Sequence, residues 1–217
     1  MRKIAPIGII FVVILIQLSI EESYSSHFKG GKFPTTWTGN GYSLCGSCSV
    51  PKNISSRVNL TNENEPGDPL VITGTIYERD GFTPAAGVTL FLYQTDAQGY
   101  YHRPQEDVFE PRIFGWLRTG SDGRYEIHTI KPAREFLEIN EPAHIHIHVF
   151  SDNIPEHYIK EFWFADDPAI KSTEIKESAK LGAFSPILHL TRGKDGVLKG
   201  VRDIKLQPTE AWQYQSN

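Results

Sequence analysis

Three histidines alternate with β-branched residues in the run Pro142-Ala143-His144-Ile145-His146-Ile147-His148-Val149-Phe150. A period of two, with Ile and Val between the histidines, predicts a β-strand that sets His144, His146 and His148 on one face. Same-face neighbours in a strand lie about 6.5–7 Å apart, so imidazoles at i and i+2 can converge on one metal with bonds of about 2.0–2.1 Å. The first and third, about 13 Å apart, are too distant to share it easily. The pattern therefore offers one ligand pair, His144 with His146 or His146 with His148. The competing reading is a solvated strand face on which histidine is merely tolerated.

Other chemistries find little support in the residues. A net charge of -4 with mixed signs lacks the basic stripe that nucleic acid requires. No strand runs through a Gly-rich turn into a helix, and Ser, His and Asp show no nucleophile-elbow spacing. Cys45 and Cys48 are the only cysteines, in the order Cys-Gly-Ser-Cys. With no second pair to complete a zinc site, and in an oxidising compartment, a disulfide within the chain or between chains is the expected state. Asn53-Ile-Ser and Asn59-Leu-Thr are glycosylation acceptors in a host that secretes through an endoplasmic reticulum.

The elements that must carry these residues begin after a leader. Arg2 and Lys3 precede the apolar run Ile7 to Leu18, and Ser23-Tyr24-Ser25 offers small residues for cleavage, so residues 1–25 read as a signal peptide of a secreted, extracellular chain. The alternative is a membrane anchor over residues 4–20, at the short limit of a span and weakened by Pro6 and Gln17. What remains suffices for one domain with a substantial core.

Residues 26–68 are rich in Gly, Ser, Asn, Thr and Pro and show no sustained period. They read as an irregular arm that wraps the domain or a partner, and that offers a route to a homo-oligomer. From Pro69 the texture is of short strands: 70–77, 87–94, 112–119 and 124–128 as a hairpin about Ser121-Asp122-Gly123, the histidine strand, 158–164, 187–191 and 197–206. Only 168–181 suggests a helix. Short strands with Asp-Gly turns and little helix predict an all-β sandwich over residues 69–217.

An ordered series of segments then stands out: Pro69 to Tyr77, Gln94-Thr-Asp-Ala-Gln-Gly-Tyr-Tyr-His102, Thr119-Gly-Ser-Asp-Gly-Arg-Tyr125, Thr129-Ile-Lys-Pro132, Pro142-Ala-His-Ile-His146, Phe162-Trp-Phe164 with Asp167-Pro168, and Asp195-Gly196. In order and spacing these resemble the intradiol ring-cleavage dioxygenases, close to the protocatechuate 3,4-dioxygenase and catechol 1,2-dioxygenase type. The resemblance covers roughly residues 66–206 and leaves the arm outside. It implies a β-sandwich holding non-haem Fe(III) through two histidines and two tyrosinates. Such a protein takes a small aromatic diol and O2 and opens the ring to a muconate. The histidine pair matches His144 and His146, and the first tyrosine matches Tyr101, with Tyr100 one residue away as a packing neighbour. Phenolate suits a ferric ion because a hard cation stabilises a hard anionic donor whose ordinary pKa is about 10. His148 has no counterpart in the motif and is expected to be hydrogen-bonded or solvated.

The chain departs from that pattern at three functional positions, and each is a glutamate. Glu135 stands where the resemblance implies the second tyrosine, Glu141 where it implies a substrate-supporting arginine, and Glu161 where it implies a glutamine. Glu135 is thus a candidate fourth ligand beside Tyr101, His144 and His146, since carboxylate suits iron or manganese. It is equally a candidate base for the catechol proton. Losing the arginine removes a partner for developing charge, a kind of loss worth about 10²–10³ in rate. The readings left open are a secreted iron dioxygenase, a catalytically impaired relative used as a binding or structural module with or without metal, and a metal site turned to hydrolysis.

Overall fold

Alternating apolar residues build two six-stranded sheets. The computed structural model describes residues 35–37, 42–102, 111–136 and 140–207, so the expected leader or anchor lies outside the described residues. A short ribbon, β1 (Thr35–Trp37) with β2 (Tyr42–Leu44), precedes the sandwich. Cys45 and Cys48 are joined in a local disulfide around a 3-10 turn.

The first sheet contains β5 (Thr89–Gln94), β6 (Ile113–Arg118), β8 (His144–Ser151), β9 (Ile154–Tyr158), β10 (Phe162–Phe164) and β11 (Ile187–Leu188). Its order is β11-β10-β8-β5-β6, with β9 also paired to β8. The second contains β3 (Arg57–Asn59), β4 (Pro69–Tyr77), β7 (Arg124–Ile130), β12 (Thr191–Arg192), β13 (Leu198–Val201) and β14 (Ile204–Lys205). Its order is β12-β13-β4-β7-β3, with β14 also paired to β4. Leu90, Leu92, Ile145, Ile147 and Val149 from one sheet meet Leu70, Ile72, Ile76, Ile127 and Leu198 from the other in a single buried core. The all-β sandwich is therefore the fold.

The first sheet is covered on its outer face as well. Phe91, Phe114, Trp116 and Phe150 form a second buried cluster, roofed by Val50 and Ile54. This explains why β5 is apolar on both faces, unlike a strand with one wet side. The arm sits close here. A Cβ on Gly46 would come within 2.7 Å of the Phe91 Cβ, so only glycine fits. The Trp116 indole N–H donates to the Gly46 carbonyl at 2.8 Å.

Three expectations are corrected. Residues 112–119 and 124–128 are not a hairpin, because β6 pairs with β5 while β7 pairs with β4 and β3, so the turn at 121–123 carries the chain between sheets. The expected strand 158–164 is two strands along one edge of β8. Tyr158 of β9 faces His148 and Phe162 of β10 faces Ile145, with a break between them. The expected helix is shorter than 168–181 and runs from Ser172 to Ala179, followed by a 3-10 turn at Gly182–Phe184.

Candidate metal centre

β8 places its histidines opposite its core residues, on the outer face of the first sheet. His144 is buried, and its Nδ1 lies 2.7 Å from the Pro142 carbonyl. A carbonyl can only accept, so Nδ1 carries the proton and Nε2 keeps its lone pair. That Nε2 lies 2.9 Å from His146 Nε2, which in turn lies 2.8 Å from the Tyr101 hydroxyl. Two ligands bound at right angles to one ion at about 2.0–2.1 Å are separated by about 2.9 Å. The three donor atoms are therefore spaced like neighbouring ligands of one cation. Burial first, then the neighbouring charges of His144 and His148, push the His146 pKa down to about 3, so this imidazole is neutral and able to ligate.

The loop that delivers Tyr101 is fixed by its own hydrogen bonds. Asp96 Oδ1 accepts the N–H groups of Gln98 at 2.9 Å and Tyr100 at 3.0 Å, and the Asp96 N–H donates to the Tyr100 carbonyl. Gly99 at φ +86° makes the turn possible, and a Cβ there would lie 2.1 Å from the Arg134 carbonyl oxygen. Arg112 locks the other side. Its guanidinium grips both oxygens of Glu65 and reaches Asp96 Oδ2, and its N–H donates to the Tyr101 carbonyl at 2.8 Å. Tyr100 points elsewhere and stacks on Phe136 with ring centroids 5.2 Å apart.

Tyr93 on β5 lies opposite His146 in the register, and the rings stack at 4.3 Å and 17°. Burial, followed by the charge of nearby Tyr158, holds the Tyr93 pKa above the ordinary phenol value. His148 is 2 % exposed and its Nδ1 lies 2.5 Å from Glu156 Oε1. Glu156 is held in turn by the Gly46 N–H and by the Ser47 N–H and hydroxyl. His148 is thus hydrogen-bonded and outside the convergent trio.

The glutamates do not gather as the ligand proposal requires. Among the described residues no three His, Cys, Asp or Glu side chains are grouped to hold a metal, so the structure does not bring Glu135 onto the two imidazoles. The backbone around Glu135 does run beside the Tyr101 loop, with the Phe136 N–H donating to the Gly99 carbonyl. Glu141 is exposed, and Glu161 is ion-paired with Lys160 at 3.3 Å. Reasoning from sequence missed Tyr93, Tyr158 and Glu156. The alternation of Phe91 and Tyr93 against Leu90 and Leu92 carried a signal for the first, but nothing local marked the other two.

A protein-family model described as Dioxygenase matches residues 49–208. The chain belongs to the intradiol dioxygenase family. The match begins inside the segment read as an arm, earlier than the resemblance near residue 66, and so takes in β3. Two curated relatives are each 30% identical. Catechol 1,2-dioxygenase 1 of Acinetobacter lwoffii aligns over 50% of this chain and 40% of its own length. The 6-chlorohydroxyquinol 1,2-dioxygenase of Cupriavidus pinatubonensis aligns over 37% and 34%. The chain thus spans less than half the length of either. Among solved structures, the 3-chlorocatechol 1,2-dioxygenase of Rhodococcus opacus superposes with a TM-score of 0.55 at 19% identity, covering 86% of this chain and 76% of that one. The dioxygenase domain of a carbohydrate-binding fusion from Streptomyces sp. SirexAA-E gives 0.53 at 21%, covering 82% and 99%. An intradiol ring-cleavage dioxygenase of Tetranychus urticae gives 0.52 at 18%, covering 75% and 92%. These three show the fold.

Proposed function

We propose that this intradiol dioxygenase is a secreted non-haem iron protein that opens a catechol ring between its hydroxyl-bearing carbons with O2. The observation that carries the reading is the convergence of Tyr101 Oη, His146 Nε2 and His144 Nε2 at 2.8 and 2.9 Å. One hard phenolate and two neutral imidazoles fit ferric iron, the metal of this family. Bound there, iron would supply Lewis acidity toward the diol and a redox partner for dioxygen.

The protein's own residues prepare that site. The Pro142 carbonyl fixes the His144 tautomer, and stacking on Tyr93 holds the His146 ring. The Tyr101 loop is tied on both sides by Asp96 and Arg112. Glu135 is our candidate for taking a proton from the diol, in place of the tyrosinate that does so in the pattern the chain resembles. Secretion is supported by the Cys45–Cys48 disulfide, a bond that persists in oxidising compartments.

A second reading is favoured by the absence of the arginine and second tyrosine, whose positions carry Glu141 and Glu135. Here the protein binds metal but does not cleave. Anaerobic loading with ferrous iron and reoxidation separates the two. A visible tyrosinate-to-iron absorption band, followed by a muconate carrying both atoms of labelled O2 from catechol, supports cleavage. Colour without product supports the second reading, and a colourless metal-loaded protein rules out the first.

A further inference from the structure

Away from the metal centre, a cavity of about 500 Å³ opens where the end of β9 meets the Gly182–Phe184 turn and the C-terminal strands. Ile159, Leu181 and Phe184 supply apolar wall, and Leu181 is left 54 % exposed at its mouth. Lys160 and Lys205 also line it. The one carboxylate in the lining, Asp203, already accepts the Thr75 N–H at 2.8 Å. His157, another lining residue, has its pKa lowered by burial and is neutral.

Arg202, the remaining basic lining residue, is unusual. It is 5 % exposed, and its backbone is pinned to the second sheet, its N–H donating to Thr73 O of β4 and its carbonyl accepting the Tyr125 hydroxyl of β7. Its guanidinium lies 4.8 Å over the Phe162 ring and spends only Nη1, on the Glu161 carbonyl at 3.1 Å. Nε has no hydrogen-bond partner. Among the described residues no carboxylate is ion-paired with it; Glu161, whose charge favours the guanidinium from beyond ion-pair distance, is paired with Lys160. Burial pushes its pKa down to about 10, which still leaves it charged at neutral pH.

A buried cation without an anion is costly, and a structure that keeps one beside a cavity is organised to receive the anion. A guanidinium gives charge-assisted hydrogen bonds to carboxylate oxygens. We infer that this cavity binds a small carboxylate with an apolar body, its head on the Arg202 guanidinium and its body against Ile159, Leu181 and Phe184. Such a site does not include the Tyr101, His144 and His146 trio, although Tyr158, in its lining, interacts with Tyr93 beside His146.

Titration calorimetry on the full, metal-free chain at neutral pH tests this, so failure of the iron chemistry leaves the readout intact. The probes are octanoate and its uncharged counterpart octanol. Saturable binding of octanoate, with octanol weaker by roughly tenfold or more, is expected. Arg202→Gln should lose octanoate binding by a similar factor while melting cooperatively. Should that variant fail to fold, Leu181→Asp at the exposed mouth should weaken octanoate several-fold without unfolding. Equal binding of acid and alcohol, no saturation at millimolar octanoate, or full affinity in the folded variants would each overturn the proposal.

Discussion

At the scale of single residues, the proposed iron site rests on three converging atoms. His146 touches both partners, so His146→Ala should abolish binding of ferric ion, whereas His148→Ala should leave it nearly intact because that ring is committed to Glu156. Metal analysis after gel filtration checks both. Tyr101→Phe removes the phenolate and should erase the visible band. If Glu135 takes the diol proton, Glu135→Gln should lower kcat by about 10²–10³ and leave KM little changed, measured by oxygen uptake. Glu156 carries a pH signature. Burial opposes its charge, but the His148 contact and the donors of Ser47 and Gly46 outweigh this and hold its pKa at about 2, against 4.5. A carboxyl depressed on folding stabilises fully above the unfolded value and loses that contribution as pH falls through the folded one. The melting temperature should therefore drop between about pH 5 and pH 2, and Glu156→Gln should flatten that drop, as thermal scans will record.

Among the elements, the Tyr101 loop and the arm are each held by one glycine. Gly99→Ala adds strain at positive φ and a collision with the Arg134 carbonyl, so the loop should shift and the iron band weaken while the fold survives. Gly46→Ala pushes the arm from Phe91 and should cost about 1–3 kcal/mol in denaturant melts. The histidine strand was legible because its alternation is strict and its core face is β-branched. β3 was not, since Arg57-Val58-Asn59 is short, largely exposed and without period. The false hairpin at 121–123 shows the limit of local signals: an Asp-Gly turn fits a hairpin and a crossing between sheets equally well. The pairing of Tyr93 with His146, and of Tyr158 with His148, depends on register between distant segments, which no local pattern encodes.

For the whole molecule, the sandwich class and the convergence of Tyr101, His144 and His146 were readable because strand periodicity and motif order agree. The covering of the outer face was not, because it depends on a polar, aperiodic segment finding an aromatic surface. That cover makes arm and sandwich one unit. Replacing Cys45 and Cys48 by Ser should lower stability by about 1–2 kcal/mol, yet calorimetry should still record a single unfolding transition. Two transitions would mean the arm melts alone. The contact from Gly46 to Glu156 bridges 110 positions, while the disulfide beside it closes over a separation of three. During synthesis, then, both halves of the clasp emerge together, long before its catch is made. Gly46 and Ser47 cannot take up Glu156 until β9 has been made.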